Sequence, residues 1–194
     1  MIKFIKRNKL LSILTLLTIL TFLIGILYPA VVDNNTREII SKNITDLISS
    51  IKNNMSFKDF FKLLSSNYTF IIIIWILGIS IFGTIIVLIL YLFKVFIFGF
   101  ELSSLIINLK LSNIIFIILY TLPNLLYIAI YFILVLFSIS YSITLFKMIF
   151  LHKNYTIRLI TKKYIKVLLV SLLLILLLSI INIFITPKLI KIFF

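Results

Sequence analysis

The feature that most constrains this chain is a set of long apolar runs without a charged residue. Leu10–Tyr28 and Val167–Ile185 are two of them, and each approaches the roughly 20 residues that a helix needs to cross a bilayer. Hydrophobic residues make up 63% of the 194 residues, and the mean hydropathy is +1.30. A soluble domain of this size could not bury so much apolar surface. The sequence therefore predicts an integral membrane protein with one domain, residues 1–194.

The charged residues are strongly unbalanced. The chain has 19 Lys and Arg against 5 Asp and Glu, which gives a net charge of +14. Because the basic residues cluster beside apolar runs, we interpret them as topogenic residues that contact anionic lipid heads, and we expect no nucleic-acid partner. The basic clusters at the N-terminus and at Lys147–Lys166 are then expected on the inner side of the membrane, with Lys147–Lys166 as a cytoplasmic loop.

Apolar runs and basic clusters together predict an all-α, polytopic transmembrane helical bundle with about five spans and its N-terminus inside. The predicted spans are Leu10–Tyr28, Tyr68–Tyr91, Val95–Leu109, Leu125–Phe146 and Val167–Ile185. The first is interpreted as a retained span, because no good signal-peptide cleavage site follows it. Lys94 is expected to close the second span on the inner side. Ser112–Leu122 is too short to cross alone, so it either extends the next helix through a proline kink or forms a re-entrant segment.

The only substantially polar segment is Asp33–Ser66, which follows the first span and holds four of the five acids. Its apolar residues recur at helical spacing, and a second short helix is expected to start at Ser56, where SFKD has the form of a capping box. We predict an external segment of two amphipathic helices that lie on the membrane or on a partner; packing on the protein's own bundle is the alternative. The candidate partner face consists of Ile40, Ile44, Leu47, Phe57, Phe60 and Phe61.

Few polar or small residues interrupt the predicted spans. Glu101 and Asn108 are the candidate intramembrane polar residues, and we predict a structural or interface role for Glu101 rather than a role in proton or substrate movement. Glu101 lies about two helical turns from Lys94, which is too far for direct pairing. Glu101→Gln should leave folding and partner binding within roughly 1 kcal/mol of the wild type, because an amide keeps most of the hydrogen bonds. The other candidates are Gly78, Gly83 and Gly99 for close helix packing, and Pro123 and Asn124 for a helix break.

The inventory of reactive residues argues against an enzyme. His152 is the only histidine, it lies in the basic Lys147–Lys166 segment, and the chain has no cysteine. No nucleophile, zinc-binding or phosphate-binding motif occurs. We therefore predict a protein without catalytic, metal-binding or cofactor-binding residues.

Several stretches, taken in chain order, resemble the stage II sporulation protein M family of bacterial membrane proteins. They are SFKDFFKLLSSN, IWILGISIFGT, LYLFKVFIFGFELSSLI, LYTLPNLLYI and ITPKLIK. The chain departs from the family pattern at Val95, where the family has a glycine, and after Pro123, where a Gln is missing. It also departs at Glu101, where the family tends to have a small or hydroxyl residue. The chain thus resembles a divergent member of the family.

The resemblance implies a multi-pass protein of the bacterial cell membrane that acts as a scaffold without its own catalysis. Sporulation members of the family anchor and localise peptidoglycan-degrading enzymes during engulfment. The expected partners are therefore membrane lipids and, on the external side, cell-wall hydrolases or other membrane proteins. The alternative is a membrane subunit of an ATP-binding cassette system for peptide or bacteriocin export or immunity, in which Lys147–Lys166 would dock the ATP-binding cassette subunit.

Overall fold

A computed structural model of the chain describes residues 9–31, 42, 57–109, 114–152 and 156–193, and these contain no strand. The helices are α1 (Lys9–Val31), α2 (Phe57–Ile79), α3 (Gly83–Leu109), α4 (Ile114–Phe150), α5 (Ile157–Ile180) and α6 (Thr186–Phe193), with a π-helical turn at Ile181–Ile185 between the last two. Five helical stretches are long and apolar enough to cross a membrane, and the fifth runs from Ile157 to Ile190. The prediction of an all-α bundle with about five spans is confirmed.

The second and third spans meet at a tight turn, Ser80–Phe82, which the sequence predicted to lie inside one span. The Ser80 N–H donates a hydrogen bond to the Leu77 carbonyl oxygen at 3.0 Å, and α3 begins directly after the turn. A Cβ atom on Gly83 would collide with the same carbonyl oxygen, so the turn requires glycine there. The predicted span Tyr68–Tyr91 is therefore wrong in its bounds. Because the residues on both sides of the turn are equally apolar, the hydropathy of the sequence does not reveal the turn.

The fourth span, α4, decides between the two alternatives for Ser112–Leu122. The helix runs through Pro123 without ending, so residues 114–122 are its first turns and not a re-entrant segment. No break in the helix occurs at Pro123 or Asn124. At 37 residues the helix is roughly 55 Å long, well beyond the ~30 Å hydrocarbon core, so α4 extends past the membrane on at least one side.

The basic segment Lys147–Lys166 is mostly helical. Lys147 lies in the last turn of α4, and α5 begins at Ile157, so only residues 151–156 separate the two helices. The prediction of a loop over the whole segment is wrong, because Lys and Arg are good helix formers and continue the apolar helices that they flank. His152 lies in the short connection and has a positive φ of 46°.

The start of α2 belongs to the segment that was predicted to be external. The helix expected from Ser56 is not separate from the second span, because α2 continues unbroken from Phe57 to Ile79. Phe57 and Phe60 pack on Phe184 in the π-helical turn, with ring centroids 5.5 and 5.8 Å apart. The other members of the predicted partner face lie outside the described residues; they are Ile40, Ile44 and Leu47.

The fourth span lies at the centre of the bundle. α4 contacts α2, α3 and α5, whereas α1 packs chiefly against α3 and is peripheral. The main core contains fully buried aliphatic side chains from these helices: Ile71, Ile74, Val87, Leu134 and Ile175. Large apolar side chains are exposed around the outside of the long helices, among them Ile19, Ile89 and Leu169. Such a surface suits contact with lipid rather than water.

Candidate functional site

A small polar cavity lies between α2, α3 and α4. Its volume is about 120 Å³. Three helices supply its polar lining: Asn67 from α2, Lys94 and Glu101 from α3, and Asn124, Tyr127 and Tyr131 from α4. Lys94 lies near the middle of α3 and not at the inner end of a span as predicted, because α3 begins only at Gly83. A lysine and a glutamate therefore share one compartment within the membrane-spanning part of the bundle.

Glu101 is held by a hydrogen bond from a neighbouring helix. The Tyr120 hydroxyl donates to Glu101 Oε1 at 2.8 Å, and Asn124, one turn after Tyr120 on α4, lines the same cavity. Lys94 interacts with Glu101 electrostatically, and its ammonium group lies 5.1 Å from the centroid of the Phe70 ring. The two charged side chains thus face the same space from positions about two turns apart on α3.

Asn67 is almost fully buried beside the cavity, with 7% of its surface exposed. The Tyr131 hydroxyl donates to Asn67 Oδ1 at 2.7 Å, whereas Asn67 Nδ2 has no hydrogen-bond partner among the described residues. A buried amide donor without a partner is costly, and a cavity of this size has room for a few water molecules at ~30 Å³ each. Sequence reasoning missed this pair, because Asn67 directly follows Ser65 and Ser66 in the polar first half of α2 and gives no sign of burial there.

Tyrosine hydroxyl groups join helices elsewhere in the bundle. Tyr164 on α5 donates to the Trp75 carbonyl oxygen on α2 at 2.9 Å. Tyr68 on α2 donates in the opposite direction, to the Leu172 carbonyl oxygen on α5, at 3.2 Å. Because a carbonyl oxygen of a membrane helix seldom finds other donors in lipid, these bonds fix α2 against α5.

Two of the three glycines predicted for helix packing lie where helices approach closely. A Cβ atom on Gly78 would collide with side-chain hydroxyl groups of α4 and α5. A Cβ atom on Gly99 would lie 2.6 Å from the Phe22 carbonyl oxygen and 3.3 Å from Gly25 Cα, both on α1. Gly83 instead serves the turn between α2 and α3.

The remaining predicted residues lie outside the cavity. Asn108 is exposed near the end of α3, and its Nδ2 donates to the Ser104 carbonyl oxygen of the same helix at 2.8 Å. Pro123 is buried within α4, beside but not part of the cavity lining. In the described part of the chain, no group of three or more His, Cys, Asp or Glu side chains comes together as metal ligands would.

Five long apolar helices, lipid-facing side chains on their outer surfaces and hydrogen bonds between their inner faces define a polytopic helical membrane protein. Residues 14–187 of the chain match the family described as Stage II sporulation protein M. The match covers most of the chain, so the chain belongs to this family, and the resemblance found in the sequence is confirmed. No curated protein sequence and no solved structure matches the chain significantly.

Membership of the family suggests a sporulation membrane protein with several membrane crossings. The family is generally not one of characterised enzymes. The family match therefore assigns no reaction to the polar cavity.

Proposed function

We propose that the protein is a membrane-embedded scaffold that anchors and localises cell-wall remodelling enzymes, as in engulfment during sporulation, and catalyses no reaction itself. The family match over residues 14–187 supports the proposal through the role that the resemblance implies. The structural observation that carries it is the aromatic contact at the start of α2.

Phe57 and Phe60 make this contact with Phe184, which lies near the C-terminal end of the last span. Aromatic pairs in such edge-to-face or tilted arrangements contribute about 0.5–1.5 kcal/mol beyond the area they bury. α2 therefore begins at a fixed point on the bundle. Because Phe57 and Phe60 belong to the predicted partner face, a partner held at the start of α2 would be fixed with respect to the membrane.

The same end of α2 offers an exposed aromatic surface. Phe57 and Phe61 expose 69% and 61% of their surfaces, respectively. Exposed aromatic residues are enriched at protein–protein interfaces, where they supply contact area at low entropic cost. In the proposed orientation, with the N-terminus inside, this end of the helix faces the cell wall.

The polar cavity supports the proposal independently of the aromatic contact. At about 120 Å³ the polar cavity is smaller than the ~300–1,000 Å³ of typical small-molecule sites. Its Glu101 and Asn67 are engaged by tyrosine hydroxyls of α4 rather than presented to a substrate. The family match does not support the alternative role in an ATP-binding cassette transport system.

Site-specific photo-crosslinking in the native cells tests the proposal. A photoreactive amino acid replaces Phe61 in one variant and, as the matched control, Phe82 in another; Phe82 is 82% exposed and lies beyond the opposite end of α2. We expect cell-wall hydrolases among the proteins captured at position 61 and not at position 82. Absence of hydrolases at position 61, or their capture only at position 82, would contradict the proposal.

A further inference from the structure

An apolar groove runs along the outer surface of α4 and α5. Its volume is about 460 Å³, within the ~300–1,000 Å³ range of small-molecule sites. Apart from Ser171 and two lysines, its lining is apolar and consists of Ile130, Ile133, Phe137, Val167, Val170 and Leu174. Because the groove is on the outside of two membrane-spanning helices, lipid has direct access to it.

The two lysines of the groove are Lys163 and Lys166. They lie three residues apart on α5, and therefore on one face of the helix, and both are exposed. The carboxylates of the described residues are Asp59 and Glu101. Asp59 lies at the start of α2, at the opposite end of the bundle, and Glu101 lines the polar cavity between α2, α3 and α4. In the described part of the chain, no carboxylate neutralises the lysine pair.

We infer that this groove binds one anionic phospholipid, whose phosphate contacts Lys163 and Lys166 and whose acyl chain lies in the apolar groove. An apolar groove alone would accept any lipid. The lysine pair selects the anionic class, because lysine ammonium groups bind phosphate and basic pockets between membrane helices bind acidic headgroups. The depth also fits, since the uncharged run Val167–Ile185 begins directly after Lys166 and places both ammonium groups at the edge of the hydrocarbon core.

A second apolar groove gives an internal comparison. It has a volume of about 360 Å³, is formed by α1, α3 and α4, and has Lys9 in its lining. It presents one lysine where the groove between α4 and α5 presents two. We therefore expect a weaker preference for anionic lipid at this second groove.

The test measures lipid binding to the full chain purified in a non-ionic detergent. The protein is titrated with phosphatidylglycerol and, separately, with phosphatidylcholine of the same acyl chains, and the bound lipid is counted by native mass spectrometry. We expect the wild type to bind phosphatidylglycerol more tightly. A wild type that binds the two lipids equally would overturn the inference.

Charge variants separate a defined site from general attraction to a basic protein. The double variant Lys163→Gln/Lys166→Gln should weaken phosphatidylglycerol binding by about thirtyfold and leave phosphatidylcholine binding unchanged. Lys162→Gln is the matched control, because Lys162 is an exposed lysine that directly precedes Lys163 on α5 but does not line the groove. If the control weakened phosphatidylglycerol binding as much per lysine as the double variant does, the attraction would be diffuse and the inference wrong.

Groove variants test the position of the acyl chain. Leu174→Trp fills the groove and should abolish the tight phosphatidylglycerol site, whereas Leu173→Trp, at a 60% exposed position outside the groove, should not. Both substitutions are at outward positions, and circular dichroism together with size-exclusion chromatography confirms that each variant is folded. Binding by a folded Leu174→Trp variant at the wild-type level would overturn the inference.

Discussion

Lys94 and Glu101 face one cavity in a largely apolar bundle, and removing either charge should leave the other without its opposite charge. Seven residues of α3 separate them, which is roughly 10 Å along the helix. At an effective dielectric constant of about 20, opposite unit charges at that distance attract by roughly 1.7 kcal/mol. Glu101→Gln keeps an oxygen that can accept the Tyr120 hydrogen bond, so the lost charge should dominate. We expect a destabilisation of roughly 1–2 kcal/mol, more than hydrogen bonding alone predicts.

A double-mutant cycle isolates this interaction. The free energy of unfolding is measured by titration with sodium dodecyl sulfate for the wild type, Glu101→Gln, Lys94→Met and the double variant. Trp75 is the only tryptophan of the chain, and its ring stacks on Tyr164 at 5.7 Å between centroids, so its fluorescence reports the separation of α2 from α5. The double variant should cost less than the sum of the single variants by roughly 1–2 kcal/mol.

Asn108 provides the control for this cycle. It is exposed on α3 and does not line the cavity, so Asn108→Ala should couple to Lys94→Met by less than about 0.5 kcal/mol. If the coupling of Lys94 with Glu101 were equally close to zero, the reasoning would be refuted. The two side chains would then not carry charges that face each other.

Two further substitutions test contacts between helices, both measured as changes in the same unfolding free energy. Gly99→Ala places a Cβ atom 2.6 Å from the Phe22 carbonyl oxygen, so α1 must shift, and stability should fall by about 1–3 kcal/mol although alanine favours the helix. Unchanged stability would mean that α1 adjusts freely. Tyr131→Phe removes the hydrogen bond to Asn67 Oδ1 and should cost about 1 kcal/mol. Tyr28→Phe, at a half-exposed position, is the control, and an equal cost there would contradict this explanation.

The number of spans could be predicted from the sequence because bilayer thickness sets a minimum length for each of them. Their bounds could not be predicted with the same success. The stretch from Ile71 to Leu92 is almost uniformly apolar, and the chain reverses within it at Ser80–Phe82. Small residues around Gly83 were the only mark of the turn, and they equally suit close helix packing.

The path of α4 was left open by the sequence for a related reason. A proline inside a helix removes one backbone hydrogen bond and usually ends or kinks the helix in water. In a membrane bundle, neighbouring side chains can satisfy the freed groups, so Pro123 is tolerated inside a continuous helix. The residues Ser112–Leu122 are too few to form a span, and their sequence does not show whether they join the next helix.

The polar cavity could be predicted only in part. Glu101 was identified because a carboxylate in an apolar run is rare. Its hydrogen-bond donor Tyr120, and the pair formed by Asn67 and Tyr131, come from other helices. A single sequence gives the face on which a residue lies but not which helices are neighbours, so these contacts required the structure.

The chain is so rich in Ile and Leu that only a few of its side chains can determine which helices pack together. Burial of these residues against another helix brings little gain over burial in lipid, so close packing and hydrogen bonds between helices determine the arrangement. Hydroxyl pairs supply such bonds between α4 and α5: Tyr127 lies 3.1 Å from Ser179, and Tyr141 lies 3.1 Å from Thr161. Since these interior polar groups are engaged in assembly, we place the proposed partner site on the exposed aromatic residues at the start of α2 rather than in the cavity.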